Sequence, residues 1–204
     1  MVQHPVSATL SRAFYAEDAV AVARALLGQR LVRVLDGVRL AGRICETEAY
    51  RGPDDPASHG YRRTPRSSIM YGPPGIAYVY FIYGNHHCLN VVTNADGVSG
   101  AVLLRGVIPQ AGLDVMRARR GPLKATRRNP LAGLADGPGK LAQALGITLA
   151  ENGVDLTLRG DLFIEADAPA PDDEVVTTPR IGIRGDEEAR LRPWRFVWQP
   201  RRDA

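Results

Sequence analysis

Tight-turn dipeptides separate strand-like runs at two places in this chain, and together they commit it to an antiparallel sheet. Asp36-Gly37 lies between the runs 31–35 and 38–50, and Gly84-Asn85 lies between 76–83 and 87–93. Asp, Asn and Gly supply the positive φ that a two-residue hairpin turn needs. A third apolar run over 101–108 extends the second hairpin into an antiparallel meander. Further strands are predicted over 155–158, 162–166, 180–183 and 195–198. Asp18 caps a helix whose apolar positions Ala19, Val22, Ala23, Leu26 and Leu27 recur at helical spacing, and Gly28 stops it. Shorter helices are predicted over 112–119 and 139–145. The stretch 51–75 has no periodicity, and structureless loops of that length usually serve function or are disordered. A Gly/Pro-rich connection over 121–137 and an acidic, Pro-rich surface loop over 167–174 complete the pattern. The reading is an α+β chain folded as one domain over 1–204, with a mixed, mostly antiparallel curved β-sheet and flanking helices.

Composition narrows the setting. With 45% of 204 residues hydrophobic there is material for a sizeable core, and no apolar stretch is long enough to span a bilayer. Met1 to Pro5 lack the charged start and apolar centre of a signal peptide, so an intracellular, cytoplasmic protein is expected. Cys45 and Cys88 both fall in strand-like runs and read as reduced core residues. The net charge is +4, and every basic residue except Lys124 and Lys140 is an arginine. That preference follows either from coding bias or from a need for guanidinium forks on phosphate. The runs Arg62-Arg63-Thr64-Pro65-Arg66, Arg117 to Arg120 and Arg127-Arg128 permit a polyanionic partner.

Chemistry concentrates in two strands. Alternation along 43–50 puts Glu46, Glu48 and Tyr50 on one face, where two carboxylates beside an aromatic are poor strand residues. The apolar run 101–108 has Arg105 set into it, and a buried guanidinium needs a carboxylate partner, which one of the two glutamates can supply. Tyr78 and Tyr80 share one face of the next hairpin, and Tyr83 stands at its tip. Strand packing explains any one tyrosine, but an exposed aromatic on a basic chain also suits stacking on bases or wedging between them.

Glu46-Thr47-Glu48-Ala49-Tyr50, Gly52-Pro53, Asp55 and His59 resemble the alkyladenine (3-methyladenine) DNA glycosylase family. So do Thr64-Pro65-Arg66, Pro74-Gly75, Tyr78-Val79-Tyr80, Ile82-Tyr83-Gly84, Leu103-Leu104-Arg105, Gly137-Pro138 with Lys140-Leu141, and Arg180-Ile181-Gly182-Ile183. The similarity runs from about residue 12 to about residue 200. It implies a bacterial base-excision enzyme, associated with the nucleoid, that flips alkylated or deaminated purines out of double-stranded DNA. The hairpin carrying Tyr83 would protrude and fill the vacated stack. Tyr50, His59 and Tyr80 would sandwich the base, and a cationic alkylated ring is attracted to such π faces. Asn90 matches a position that excludes the exocyclic amine of guanine. Glu48 would act as general base on a water aimed at C1′, with Arg105 positioning both and a backbone carbonyl near Trp198 helping to hold the water. Arg62, Arg63 and Arg66 are candidates for the DNA backbone. The tip Asn85-His86-His87 is more polar than in mammalian relatives, which implies a weaker or more polar intercalating contact.

No cofactor or metal is expected. Adjacent strand residues point to opposite faces, so His86, His87 and Cys88 do not converge on one ion. Neither lysine has surroundings that would depress its pKa, so hydrolysis by water that leaves an abasic site is expected rather than lyase chemistry. A monomer is expected. Two alternatives remain open at the level of sequence. Glu46 and Glu48, about 6.5–7 Å apart along a strand, suit an inverting O-glycosidase. A non-catalytic nucleic-acid binder would use Glu48 only as the structural partner of Arg105.

Overall fold

The computed structural model describes residues 7–123, 126–127 and 129–201. The readings placed on Met1 to Pro5, Lys124 and Arg128 lie outside the described residues. Strands β1 (Arg30–Leu35) and β2 (Val38–Tyr50) form the first hairpin, with positive φ at Asp36 (51°) and Gly37 (77°). Strands β3 (Ala77–Ile82), β4 (His86–Val92) and β5 (Ala101–Ala111) make the meander. Strand β6 (Leu162–Glu165) extends β1, and β7 (Val175–Thr178) pairs with β8 (Arg195–Trp198). The result is an open, curved sheet in the order β3-β4-β5-β2-β1-β6, and every pairing between its strands is antiparallel. Strand β8 pairs with β2 at Glu46 to Glu48, beyond the end of β1.

Helices α1 (Arg12–Tyr15), α2 (Ala19–Ala25), α3 (Leu113–Arg120), α4 (Pro138–Leu145) and α5 (Glu187–Leu191) flank the sheet. Asp18 caps α2 by accepting from the Val20 N–H at 2.9 Å. The apolar stripe of α2 meets Ile44, Ala49, Val102 and Leu104 in the main core. Thr47 faces the same way, and its hydroxyl donates to the Ala23 carbonyl at 2.8 Å.

Two bulges decide what the other face carries. Upstream on β2, the even-numbered Leu40 and Ile44 face the main core; downstream, the odd-numbered Thr47 and Ala49 do. The switch happens at Cys45, where Ile44 pairs with Val107 and Glu46 with Gly106. Opposite it, Glu46 pairs with Gly106 and Thr47 with Leu104, so Arg105 is the extra residue on β5. One inserted residue inverts the side-chain alternation beyond it. Without the Cys45 bulge, Glu46 and Glu48 would share a face with Leu40 and Ile44, inside the apolar core.

The structure corrects several boundaries. Residues 155–158 form a turn rather than a strand: Asp155 accepts from the Thr157 N–H at 3.0 Å, and only an isolated bridge joins Asp155 to Ile76. Residues 180–183 are not a strand either, because Gly182 has φ 68° and the chain is held by side chains. The late strand lies earlier, at Val175–Thr178. The aperiodic 51–75 stretch contains two 3-10 turns, His59–Tyr61 and Ser68–Tyr71. In the second hairpin the residues with positive φ are Tyr83 (55°) and Gly84 (71°), so the turn centres one residue earlier than Gly84-Asn85.

Candidate active site

The bulge at Arg105 aims its guanidinium at both glutamates of β2. Arg105 Nε donates to Glu46 Oε1 at 2.6 Å, and Nη1 lies 3.3 Å from Glu48 Oε2. Glu46 also accepts from Arg195 Nε of β8 at 2.7 Å. Glu48 is fully buried. Its Oε2 accepts the Tyr50 hydroxyl at 2.8 Å, and its Oε1 accepts the Ile181 N–H at 2.7 Å. Two hydrogen bonds and an ion pair thus hold one carboxylate in place. Burial opposes the charge on Arg105, but Glu48 and Glu46 outweigh it and raise its pKa. Burial, then Glu48, pushes the Tyr50 hydroxyl well up, so it remains a donor.

Above this cluster lies a cavity of about 640 Å³ lined by Tyr50, His59, Tyr80, Asn90, Tyr83 and Arg105, among others. The structure therefore brings together all the residues singled out for base contact, with Tyr83 at the rim, 79% exposed. His59 meets the Tyr80 ring edge-on at 4.9 Å between centroids. Asn90 is buried, and its amide nitrogen donates to the Tyr78 carbonyl at 3.0 Å, which fixes the side chain. Glu48 itself does not line the cavity; Tyr50, Arg105 and Ile181, which touch it, do. Among the described residues the lining carries no carboxylate, and Glu46 is committed to two arginines, which leaves no pair of free acids there for a two-carboxylate glycosidase.

Several participants were missed from sequence. Tyr78 lines the cavity, and its hydroxyl is 2.9 Å from His59 Nδ1; its shared face with Tyr80 was the available signal. Ile181, Gly182, Ile183 and Arg184 form a strap across one side. The expected carbonyl near Trp198 does not fit this picture. Trp198 is buried on β8, its indole N–H donates to Glu174 at 2.8 Å, and it does not line the cavity. The strap is anchored instead by Arg180, whose two terminal nitrogens bind Asp55 at 2.6 and 2.8 Å. No local sequence signal joins residues 125 positions apart.

The basic runs divide. Arg62, Arg63 and Arg66 are exposed on the loop beside the cavity. In α3, Arg119 donates to the Gln143 carbonyl at 3.2 Å and Arg120 to the Gly133 carbonyl at 3.0 Å, so these two bind α3 to its neighbours. His86 packs over Gly139 of α4 while Cys88 lines the aromatic cavity.

The model for the methylpurine-DNA glycosylase family matches residues 13–202 of this sequence. The chain belongs to that family. Membership makes it a DNA glycosylase, a hydrolase of N-glycosyl bonds. A relative from Bacillus cytotoxicus named "Putative 3-methyladenine DNA glycosylase" is 48% identical over 194 residues, which cover 91% of this chain and 94% of the relative. Proteins of the same name from Bacillus mycoides and Bacillus cereus are 44% identical over 191 residues, again covering 91% of this chain. Among the described residues of this glycosylase-family chain, no helix is long and apolar enough to cross a membrane.

Proposed function

We propose that the protein is a monofunctional DNA glycosylase that extrudes alkylated or deaminated purines from double-stranded DNA and releases them with water, leaving an abasic site. One observation carries this reading. A buried carboxylate lies beneath an aromatic cavity whose lining includes its guanidinium partner, and an exposed tyrosine stands at the rim. Tyr50, His59 and Tyr80 are suited to hold a flat base, and the fixed Asn90 to reject the exocyclic amine of guanine. Tyr83 would occupy the gap left in the duplex. Arg62, Arg63 and Arg66, on the loop beside the cavity, are candidates for phosphate contacts.

Glu48 would take a proton from the attacking water and stabilise the oxocarbenium-like sugar. Because Tyr50 donates to its Oε2, that hydroxyl must yield its place to the water as the base enters. Catalytic hydrogen bonds often reach their working geometry only in the substrate complex. The protein would act as a monomer in the cytoplasm, on chromosomal DNA and without a cofactor.

Duplex oligonucleotides carrying hypoxanthine, ethenoadenine or 7-methylguanine test this. Strand breaks should appear only after alkali, no borohydride-trapped adduct should form, and Glu48→Gln should slow base release by about 10²–10⁴-fold. Failure of the intact protein to release any of these bases, or full activity in Glu48→Gln, would refute the mechanism.

A further inference from the structure

Tyr50 and Tyr80, two of the tyrosines that line the cavity, each have a guanidinium over the ring. Arg180 lies 4.8 Å from the Tyr50 ring and Arg66 lies 4.9 Å from the Tyr80 ring, and neither arginine lines the cavity. The two differ in charge balance. Arg180 is neutralised by the buried Asp55. Arg105, which lines the cavity, is neutralised by Glu46 and Glu48. Among the described residues no carboxylate pairs with Arg66. Its positive charge is felt by His59, Tyr78, Tyr80 and Cys88, which cluster at this end of the cavity. The charged residues of the lining itself are Arg105 and Arg184, both cations.

We propose that Arg66 is a specificity-determining residue whose uncompensated charge behind the Tyr80 ring favours excision of neutral damaged purines over cationic N-methylated ones. The inference rests on the base-sandwich reading given above. A purine stacked on the Tyr80 face opposite Arg66 would lie roughly 8 Å from the guanidinium, the ring distance plus a stacking contact of about 3.5 Å. That is close to the Debye length of about 8 Å at physiological salt, and the path between the charges runs through protein rather than water.

The two lesion classes respond oppositely to such a field. When the bond between the base and C1′ breaks, the base keeps the electron pair, the sugar carbon takes the oxygen of water, and the water's proton goes to Glu48. A neutral base such as hypoxanthine becomes negative as it departs, and a nearby cation stabilises it. A 7-methylguanine base enters as a cation and departs neutral, so the same charge opposes entry and gives the leaving group nothing. A guanidinium on the outer face also competes for the π density that would otherwise attract a cationic ring.

The test is a competition assay in which one duplex sequence carries either hypoxanthine or 7-methylguanine, with kcat/KM measured for each. Arg66→Gln should lower the hypoxanthine-to-7-methylguanine ratio by about three- to fivefold, the size of an exposed cation–π interaction. Arg66→Glu should lower it further and Arg66→Lys should largely preserve it. Arg66 is exposed, so these variants fold. Equal losses on both lesions would identify Arg66 as a phosphate contact only and overturn the proposal, as would an unchanged or increased ratio. Failure of the parent protein on both lesions would instead be a failure of the proposed function.

Discussion

His59 shows how a single side chain takes on the character of its surroundings. Burial, and then the charge of Arg66, lowers its pKa, while its Nδ1 lies 2.9 Å from the Tyr78 hydroxyl. The ring therefore stays neutral in the folded protein below the ordinary titration point of about 6.5. In the unfolded chain it takes up a proton first, so folding loses ground as the pH falls. The contribution is fully present above the unfolded pKa and is lost as the pH falls through the lowered folded value. The melting temperature of the parent should accordingly drop more between pH 7 and pH 5 than that of His59→Gln, as followed by circular dichroism. Burial likewise pushes the Cys45 thiol up to about 12 and raises that of Cys88, so both remain protonated thiols near neutral pH.

At the scale of elements, the second hairpin accepts strain at its tip. Tyr83 adopts φ 55°, a left-handed conformation that is unfavourable for any residue with a Cβ, and within the turn the Asn85 N–H donates to the Ile82 carbonyl at a long 3.4 Å. Its side chain packs little, at 79% exposure. A strained, exposed aromatic that contributes nothing to the core is better explained by function than by folding. Tyr83→Gly should therefore keep or gain stability, by up to about 1 kcal/mol in urea denaturation, because relief of the left-handed strain is partly offset by the added freedom of the unfolded chain. The same variant should lose base excision on duplex DNA. The facing bulges at Cys45 and Arg105 make a related point about strands. Alternation correctly put Glu46, Glu48 and Tyr50 on one face. Which side of the sheet that face would occupy depended on an extra residue that alternation does not reveal.

Across the whole molecule, the Asp55–Arg180 pair joins the aperiodic loop after β2 to the strap before α5, with both side chains fully buried. Arg180 also donates to the Ala49 carbonyl at 2.9 Å and the Ala189 carbonyl at 3.1 Å, and lies between the Tyr50 and Trp194 rings. Asp55→Ala leaves a guanidinium buried without its counter-charge, so denaturant titration should show a loss of about 3–5 kcal/mol. The hairpins, the capped helix α2 and the approach of Arg105 to the glutamates of β2 were legible in the residues, because turn chemistry, periodicity and the need to pair a buried charge act locally or through simple alternation. The family motifs identified the aromatic wall residues Tyr50, His59 and Tyr80. Residues 155–158 and 180–183 misled, because short segments in which every second residue is apolar resemble strands until a sheet edge is available or withheld. The arrest of Glu48 by the Ile181 N–H, the Arg180 clamp and the unpaired guanidinium behind Tyr80 have no counterpart in any local pattern. Local sequence determined the two hairpins, the capped helix and the positions at which carboxylates, arginines and tyrosines interrupt the strands. Tertiary structure decided which of those groups are sealed, neutralised or left charged, because burial and ion pairing depend on residues from separate elements, such as Glu46 and Arg105 or Asp55 and Arg180, that meet only once the chain has folded.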